Sequence, residues 1–255
     1  MSAFKELRKV EEVIAYQKQV LSRTGGRSPD VARLFHYTNI DALVKMVESG
    51  YMWLSSPDNM NDALEEQLIK MSGINDLYFS CFSRTNQNIA MFRMYASDPD
   101  GVMISITVSD AKEMLSQKPR LVEGSSLTNE EIDTELYWIG VCYKDLDSDR
   151  ITTPGQKNHH IATPLKSLSG AVKLSGWEYE KEVRLCSRKR LFAGQKLAVK
   201  LPDSVNVVLC PMFDMKNNST KLAKLTAIGI HYESSVYDNW IRQQQFRKVK
   251  NMISV

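Results

Sequence analysis

The stretch Trp177-Glu178-Tyr179-Glu180-Lys181-Glu182-Val183-Arg184-Leu185 reads as a β-strand carrying two carboxylates two residues apart. Alternate side chains on a strand share a face, so Val183 and Leu185 go to a core while Glu180, Glu182 and Arg184 form a charged row on the other side. Such a row goes to water more often than to a cleft. Here, however, it is the last of a series of unusual segments that begins with Leu34-Phe35-His36-Tyr37-Thr38. That order suits a site assembled from distant strands.

Working outward, the chain punctuates itself into short elements. A strand at 33–37 runs into a helix with Thr38 and Asp41 at its start, the stripe Ile40, Leu43, Val44 and Val47, and Gly50 at its end. Tyr51 to Ser56 reads as a strand closed by the loop-forming run Pro57 to Asp62, and Leu77 to Ser83 as another. A helix is expected over Asn88 to Ala96, a turn over Ser97 to Gly101 and a strand over Val102 to Val108. Thr128 with Glu131 has the spacing of a helix start, and Tyr137 to Tyr143 has strand composition. After a loop at 147–160, strands are expected over Glu180 to Cys186, Lys196 to Leu201, Val205 to Leu209 and Ala227 to Tyr232. Helices are expected near 217–224 and over Val236 to Arg247. Many strands with short helices, in no regular alternation, indicate an α+β fold.

Ahead of this domain, Phe4, Leu7, Val10, Val13, Ile14, Val20 and Leu21 fall at helical spacing among charges, and Gly25-Gly26 follows within a loop. The division expected is an amphipathic helix and linker over 1–30 and one domain over 31–255. The helix has three uses open to it: packing on the domain, self-association and partner docking.

At 255 residues and 43% hydrophobic content the chain can bury one large core or two small ones. It has no apolar run long enough to span a membrane and no signal-like N-terminus, so a cytoplasmic protein is expected. Cys81, Cys142, Cys186 and Cys210 are scattered in apolar or strand-like runs and read as buried free thiols. His36, His159, His160 and His231 have no metal-ligand spacing, and no metal is expected. His159-His160 reads as a solvated pair in a loop, and glycine-rich phosphate loops are absent.

Four blocks, in this order, resemble the bacterial family catalogued as domain of unknown function 2971. They are Phe35-His36-Tyr37-Thr38; Trp53-Leu54-Ser55-Ser56-Pro57 with Asn61-Asp62 and Glu65; Ser80-Cys81-Phe82-Ser83 with Met91 to Ala96 and Gly101; and Trp177 to Arg184. Ala63 and Phe92 stand where that family commonly has proline and tryptophan. The family in turn looks like a distant relative of ADP-ribosyltransferases. This resemblance implies two packed, twisted β-sheets with peripheral short helices, NAD as substrate, and a cleft lined by a strand histidine, a tyrosine and a late glutamate. His36 would match the histidine that hydrogen-bonds a ribose, and Tyr37 or Tyr95 the aromatic that stacks on nicotinamide. Glu182 would match the catalytic glutamate, with Glu180 two residues ahead. The resemblance also implies a setting of conflict between bacteria and phage, as toxin or defence component.

The chemistry fits the residue types. Cleaving the nicotinamide–ribose bond builds positive charge on the sugar, which a fixed carboxylate stabilises. A second carboxylate could orient or deprotonate an acceptor. Thr38 joins His36 as a candidate contact, Ser83 and Asn61 end apolar segments at loops where binding residues gather, and Arg184 could hold a pyrophosphate oxygen or form a salt bridge. Trp53 reads as core. Lys181, Arg184, Arg188, Lys189, Arg190, Lys196 and Lys200 lie between 181 and 200, a basic flank that could guide a nucleic acid acceptor. The leading expectation is an ADP-ribosyltransferase-like protein with a nucleic acid or protein acceptor. The rivals are an NAD glycohydrolase and a non-catalytic nucleotide- or partner-binding module.

Overall fold

A computed structural model describes residues 33–60, 62–71, 75–97, 99–144, 150–153, 156–160, 170, 172–203, 205–238 and 240. The helix expected over 4–21, the linker after it, Asn61 and all but the start of the C-terminal helix lie outside the described residues. In chain order the elements are β1 (Arg33–Asn39), α1 (Ile40–Ser49), β2 (Tyr51–Leu54), α2 (Ala63–Met71), β3 (Leu77–Ser83), α3 (Ile89–Tyr95), β4 (Gly101–Thr107) and α4 (Val108–Leu115). There follow β5 (Arg120–Glu123), β6 (Ser126–Glu131), β7 (Leu136–Gly140), β8 (Cys142–Lys144), β9 (Arg150–Thr153), β10 (Gln156–His160) and β11 (Val172–Leu174). The chain ends with β12 (Glu182–Arg188), β13 (Gln195–Lys200), β14 (Asn206–Leu209), α5 (Ser219–Ala227) and β15 (Tyr232–Glu233). Short helices among many strands make this the mixed α+β class that the sequence indicates.

The chain divides into two units, one built on Ser49–Thr85 and Thr107–Pro202, the other on Phe35–Glu48, Asn86–Ile106 and the segment from Asp203 on. In the first, β12 lies between β3 and β7 and is antiparallel to both. The register puts Val183, Leu185, Phe82 and Trp138 on one face, and Glu182, Arg184, Cys186, Ser83, Cys81, Phe79 and Ile139 on the other. The first face is core. Phe82 meets Trp138 edge-on at 5.2 Å, and the indole Nε1 donates to the Ala111 carbonyl of α4 at 3.1 Å, so the ring is buried with its polar atom satisfied. The second face changes character along its length, from charge at Glu182 and Arg184 to a cluster of Leu77, Phe79, Ile139 and Cys186. This unit also contains the antiparallel order β2-β13-β5-β6 and a sheet ordered β10-β9-β8-β11.

In the second unit β4 is buried over most of its length and pairs antiparallel with β14, which pairs parallel with β15. Gly101 opens β4 where a Cβ would fall 2.7 Å from the Ala96 Cβ and 2.9 Å from its carbonyl, so a larger residue would force the two segments apart. Asn88 caps α3, its side chain accepting from the backbone of Ala90 and Met91. Loss of that cap in Asn88→Ala is expected to lower stability by about 1 kcal/mol in urea unfolding, and an unchanged midpoint would show that Tyr37, which accepts from the Asn88 N–H at 2.9 Å, suffices to fix this turn.

Several expectations fail for local reasons. Thr128 and Glu131 do not start a helix. They lie on β6, where the Thr128 hydroxyl donates across to the Leu121 carbonyl and the strand returns from Gly124 at φ 58°. The segment expected as a loop at 147–160 contains the antiparallel pair β9 and β10, with His159 opposite Ile151 and His160 opposite Arg150, so both histidines are strand residues. Ala227 to His231 is not a strand, and β15 begins only at Tyr232. Gly229, at φ 80°, ends α5 there, with Ile230 donating back to Leu225. Two helices went unforeseen, α2 and α4.

Candidate functional site

Five ionisable side chains of the first unit converge below the surface: Glu65 of α2, Lys173 of β11, Glu180 of the 3-10 turn Ser175–Glu180, and Glu182 and Arg184 of β12. All are buried, Arg184 completely. Its guanidinium donates from Nε and Nη2 to Glu182 at 2.7 and 3.1 Å, and from Nη1 and Nη2 to Glu65 at 2.6 and 3.0 Å. Nη1 also donates to the Gly170 carbonyl at 2.8 Å, so all five donors of the fork are used. The ring of Phe79 lies beneath it, 4.7 Å from Cζ. Gly170 must be glycine: its φ is +82° and a Cβ there would meet Leu77 at 2.6 Å.

Lys173 supplies the second cation. Its Nζ lies 2.7 Å from Glu180 and 2.8 Å from Glu182, with Glu65 at 3.9 Å and the Trp177 ring centroid at 5.4 Å. Three carboxylates thus share two cations, leaving one excess negative charge if all are ionised. Burial disfavours the Glu182 charge, yet Arg184 and then Lys173 outweigh it and hold the carboxyl well below its ordinary value. Glu65 goes the other way, raised chiefly by burial, which outweighs Arg184 and the more distant Lys173 while Glu182 repels it. Glu182 is therefore the member fixed as an anion, and Glu65 the member that accepts a proton more readily.

The strand does not extend back to Glu180. Lys181 adopts a left-handed conformation, φ 46° and ψ 48°, between the 3-10 turn and β12, so Glu180 and Glu182 do not share a strand face. They meet instead through Lys173. The turn is clamped from β3: the Ser83 hydroxyl donates to the Glu180 carbonyl at 2.5 Å and accepts from Thr85, while Arg84 donates to the Lys181 carbonyl from backbone and side chain. The Glu182 N–H donates to the buried Tyr143 hydroxyl at 2.8 Å. The charged row, read from sequence as facing either water or a cleft, is thus buried inside the protein.

Cys81, directly opposite Arg184 in register, departs from that burial. The sequence reading buried it, whereas its side chain is exposed to solvent while its thiol hydrogen-bonds Glu182. Desolvation, then the Glu182 charge, pushes the thiol well above its usual value. Cys81 is thus an exposed residue one side-chain hydrogen bond from the anionic, buried carboxylate. Cys186 and Cys210 are buried as expected.

The other sequence candidates belong to the second unit. His36 is half-buried on β1, Thr38 is buried, and Tyr95 is half-buried at the end of α3. Tyr37 is buried, packed edge-on to Phe92 at 5.0 Å, and burial lifts its hydroxyl above its normal range. Arg184 has no donor left for a pyrophosphate, and the Ser83 hydroxyl is engaged by backbone. The basic flank is partly consumed as well: Arg184 is internal, Arg188 pairs with Asp76 at 2.7 Å and Lys181 with Glu178 at 2.8 Å. Lys173 and Cys81 went unrecognised as site residues. Glu65 stood in a quoted block without a role, although Asp62, three residues ahead and accepting its N–H at 3.1 Å, is a helix-start signal.

No family model matches the chain. No curated protein matches it either. Among solved structures, the chain is similar to Thermus sp. 2.9 DarT in complex with ADP-ribosylated ssDNA, at 9% identity and a TM-score of 0.39 over 83% of this chain and 97% of that one. It is similar to the same protein in complex with NAD+ at 9% identity and a TM-score of 0.40, over 84% and 99% of the two chains. Overlays at that level decide neither fold nor activity. No helix among the described residues is long and apolar enough to cross a membrane.

Proposed function

We propose that this chain is an ADP-ribosyltransferase-like enzyme of the bacterial cytoplasm that cleaves the nicotinamide–ribose bond of NAD and transfers ADP-ribose to a macromolecular acceptor. The observation that carries the reading is a Glu182 carboxylate held anionic by two buried cations and hydrogen-bonded to the exposed Cys81. In the reaction the C1′–N1 bond breaks and its electron pair leaves with nicotinamide, which becomes neutral. The ribose is left with oxocarbenium character until an acceptor nucleophile bonds to C1′ and gives up its proton. A fixed carboxylate favours that charge over the ground state. Glu180, on the shared cation Lys173, is the second carboxylate of the site.

The four-block sequence resemblance supports the same reading and adds His36, Thr38, Tyr95 and Asn61 as NAD contacts. Tyr37 serves by shaping the turn at Asn88. The test is incubation of the purified protein with NAD and mass detection of products. Nicotinamide with ADP-ribose on an added acceptor is the expected result. Nicotinamide with free ADP-ribose alone favours the glycohydrolase, and NAD bound but intact reduces the protein to a binding module.

A further inference from the structure

Glu182 is gripped by a second sheet as well as by its own. β7 ends at Gly140, opposite Val183, and the chain passes through Val141 into β8. The Val141 N–H donates to the Glu182 carbonyl at 3.0 Å, and two residues on, the Tyr143 hydroxyl accepts from the Glu182 N–H at 2.8 Å. β11 runs parallel to β8 with Lys173 directly beside Tyr143 in register, so the two side chains leave the same face of that sheet. Tyr143 takes the Glu182 backbone, and Lys173 takes the carboxylate Oε2 at 2.8 Å. Both residues are buried, Tyr143 completely.

We infer that Tyr143 and Lys173 are positioning residues for nicotinamide–ribose cleavage, a cross-strand pair that fixes Glu182 at its backbone and at its carboxylate. The inference rests on the NAD reading and names two residues through which that site keeps its geometry. Glu182 needs such support because it is the first residue of β12 and follows the left-handed Lys181, so no preceding strand residue constrains it. Its carboxylate also shares its cations with competitors, Glu65 on Arg184 and Glu180 on Lys173. Burial opposes the Lys173 charge, yet Glu182, with Glu180 and Glu65 behind it, outweighs burial and Arg184 and holds the ammonium above its ordinary value, so this grip is cationic at working pH. A carboxylate displaced by about 1 Å from the sugar loses up to about a hundredfold in rate. Loss of either grip therefore registers in turnover, not in affinity for NAD.

Tyr143→Phe and Lys173→Met test this in assays of nicotinamide release over a range of NAD concentration, each alone and combined with Glu182→Gln, with the folded fraction read from near-UV circular dichroism. Per folded molecule, kcat is expected to fall between about ten- and a hundredfold in each single variant, while KM for NAD moves by less than about twofold. On the Glu182→Gln background the same substitutions are expected to cause no further loss, because the carboxylate they hold is already gone. Unchanged kcat in a folded variant overturns the assignment of that residue. A loss of equal size with and without the Glu182 carboxylate overturns it too, since that marks a role in the fold alone. Should one variant fail to fold, the other decides, and failure of both makes the pair structural and overturns the inference. A parent protein that releases no nicotinamide overturns the NAD reading itself, whereas an active parent with indifferent variants removes only the roles of Tyr143 and Lys173.

Discussion

Glu182→Gln is expected to reduce nicotinamide release on the order of a hundredfold or more while the protein stays folded and binds NAD. The amide keeps the shape of the carboxylate and loses the charge that faces the developing oxocarbenium. Charge balance favours survival of the fold. With Glu182 neutral, Glu65 and Glu180 remain against Lys173 and Arg184, two charges against two. Glu65, whose carboxyl is raised in the native cluster, then becomes the principal anion for Arg184. Two bonds are lost. The Gln oxygen accepts from the Arg184 Nε, but its amino group falls where an oxygen lies 2.8 Å from the Lys173 Nζ and 3.1 Å from the Arg184 Nη2, placing donor against donors. That costs about 1–3 kcal/mol, a fraction of ordinary domain stability. Turnover equal to the parent enzyme in a folded variant would mean that the cluster is a structural ion network and that catalysis, if any, lies elsewhere.

The contrast between what the sequence displays and what it hides follows from the range of the forces involved. Short-range signals were legible: the alternation that builds β12, the Asn88 cap and the stripe of α1 depend on neighbours within a few residues. So was the pairing of Glu182 with Arg184 on one face, because the pleat dictates it. The link from Glu180 to Glu182 was misread because Lys181 takes a left-handed conformation that a lysine does not announce. Tertiary contacts impose it: Ser83 and Arg84, nearly a hundred residues upstream, fix the Glu180 and Lys181 carbonyls.

Lys173 was invisible for a different reason, since nothing near it in the chain marks it as a partner for Glu180 or Glu182. Trp53 was assigned to the core by residue type alone, and the register of β2 against β13 puts it on the face opposite Met52 and Leu54, where it is half-buried. Cys81 shows the same limit. It sits in an apolar run, yet at its register position opposite Arg184 it is an exposed residue on an otherwise buried face.

Arg184→Met is expected to cost about 3–5 kcal/mol at neutral pH, the largest stability effect of any substitution in the cluster. Methionine fills the space over Phe79 and leaves Glu65 and Glu182 without their guanidinium, with Lys173 as the remaining cation. The pH dependence follows from the two shifts. Glu182 is depressed in the native state, so the stability it brings is present above its unfolded value, about 4.3, and is lost as pH falls through the lower folded value. Glu65 is raised, so its contribution is present below the unfolded value and is lost as pH rises through the folded one.

Without Arg184 the depression of Glu182 shrinks and the elevation of Glu65 grows. Both changes make the variant relatively better off in acid, where protonation removes the unpaired charge. Urea unfolding of both proteins at neutral pH and near the unfolded glutamate value should therefore show a deficit that narrows as pH falls. A deficit of constant size would assign Arg184 to packing on Phe79, and remove the electrostatic basis for holding Glu182 as an anion.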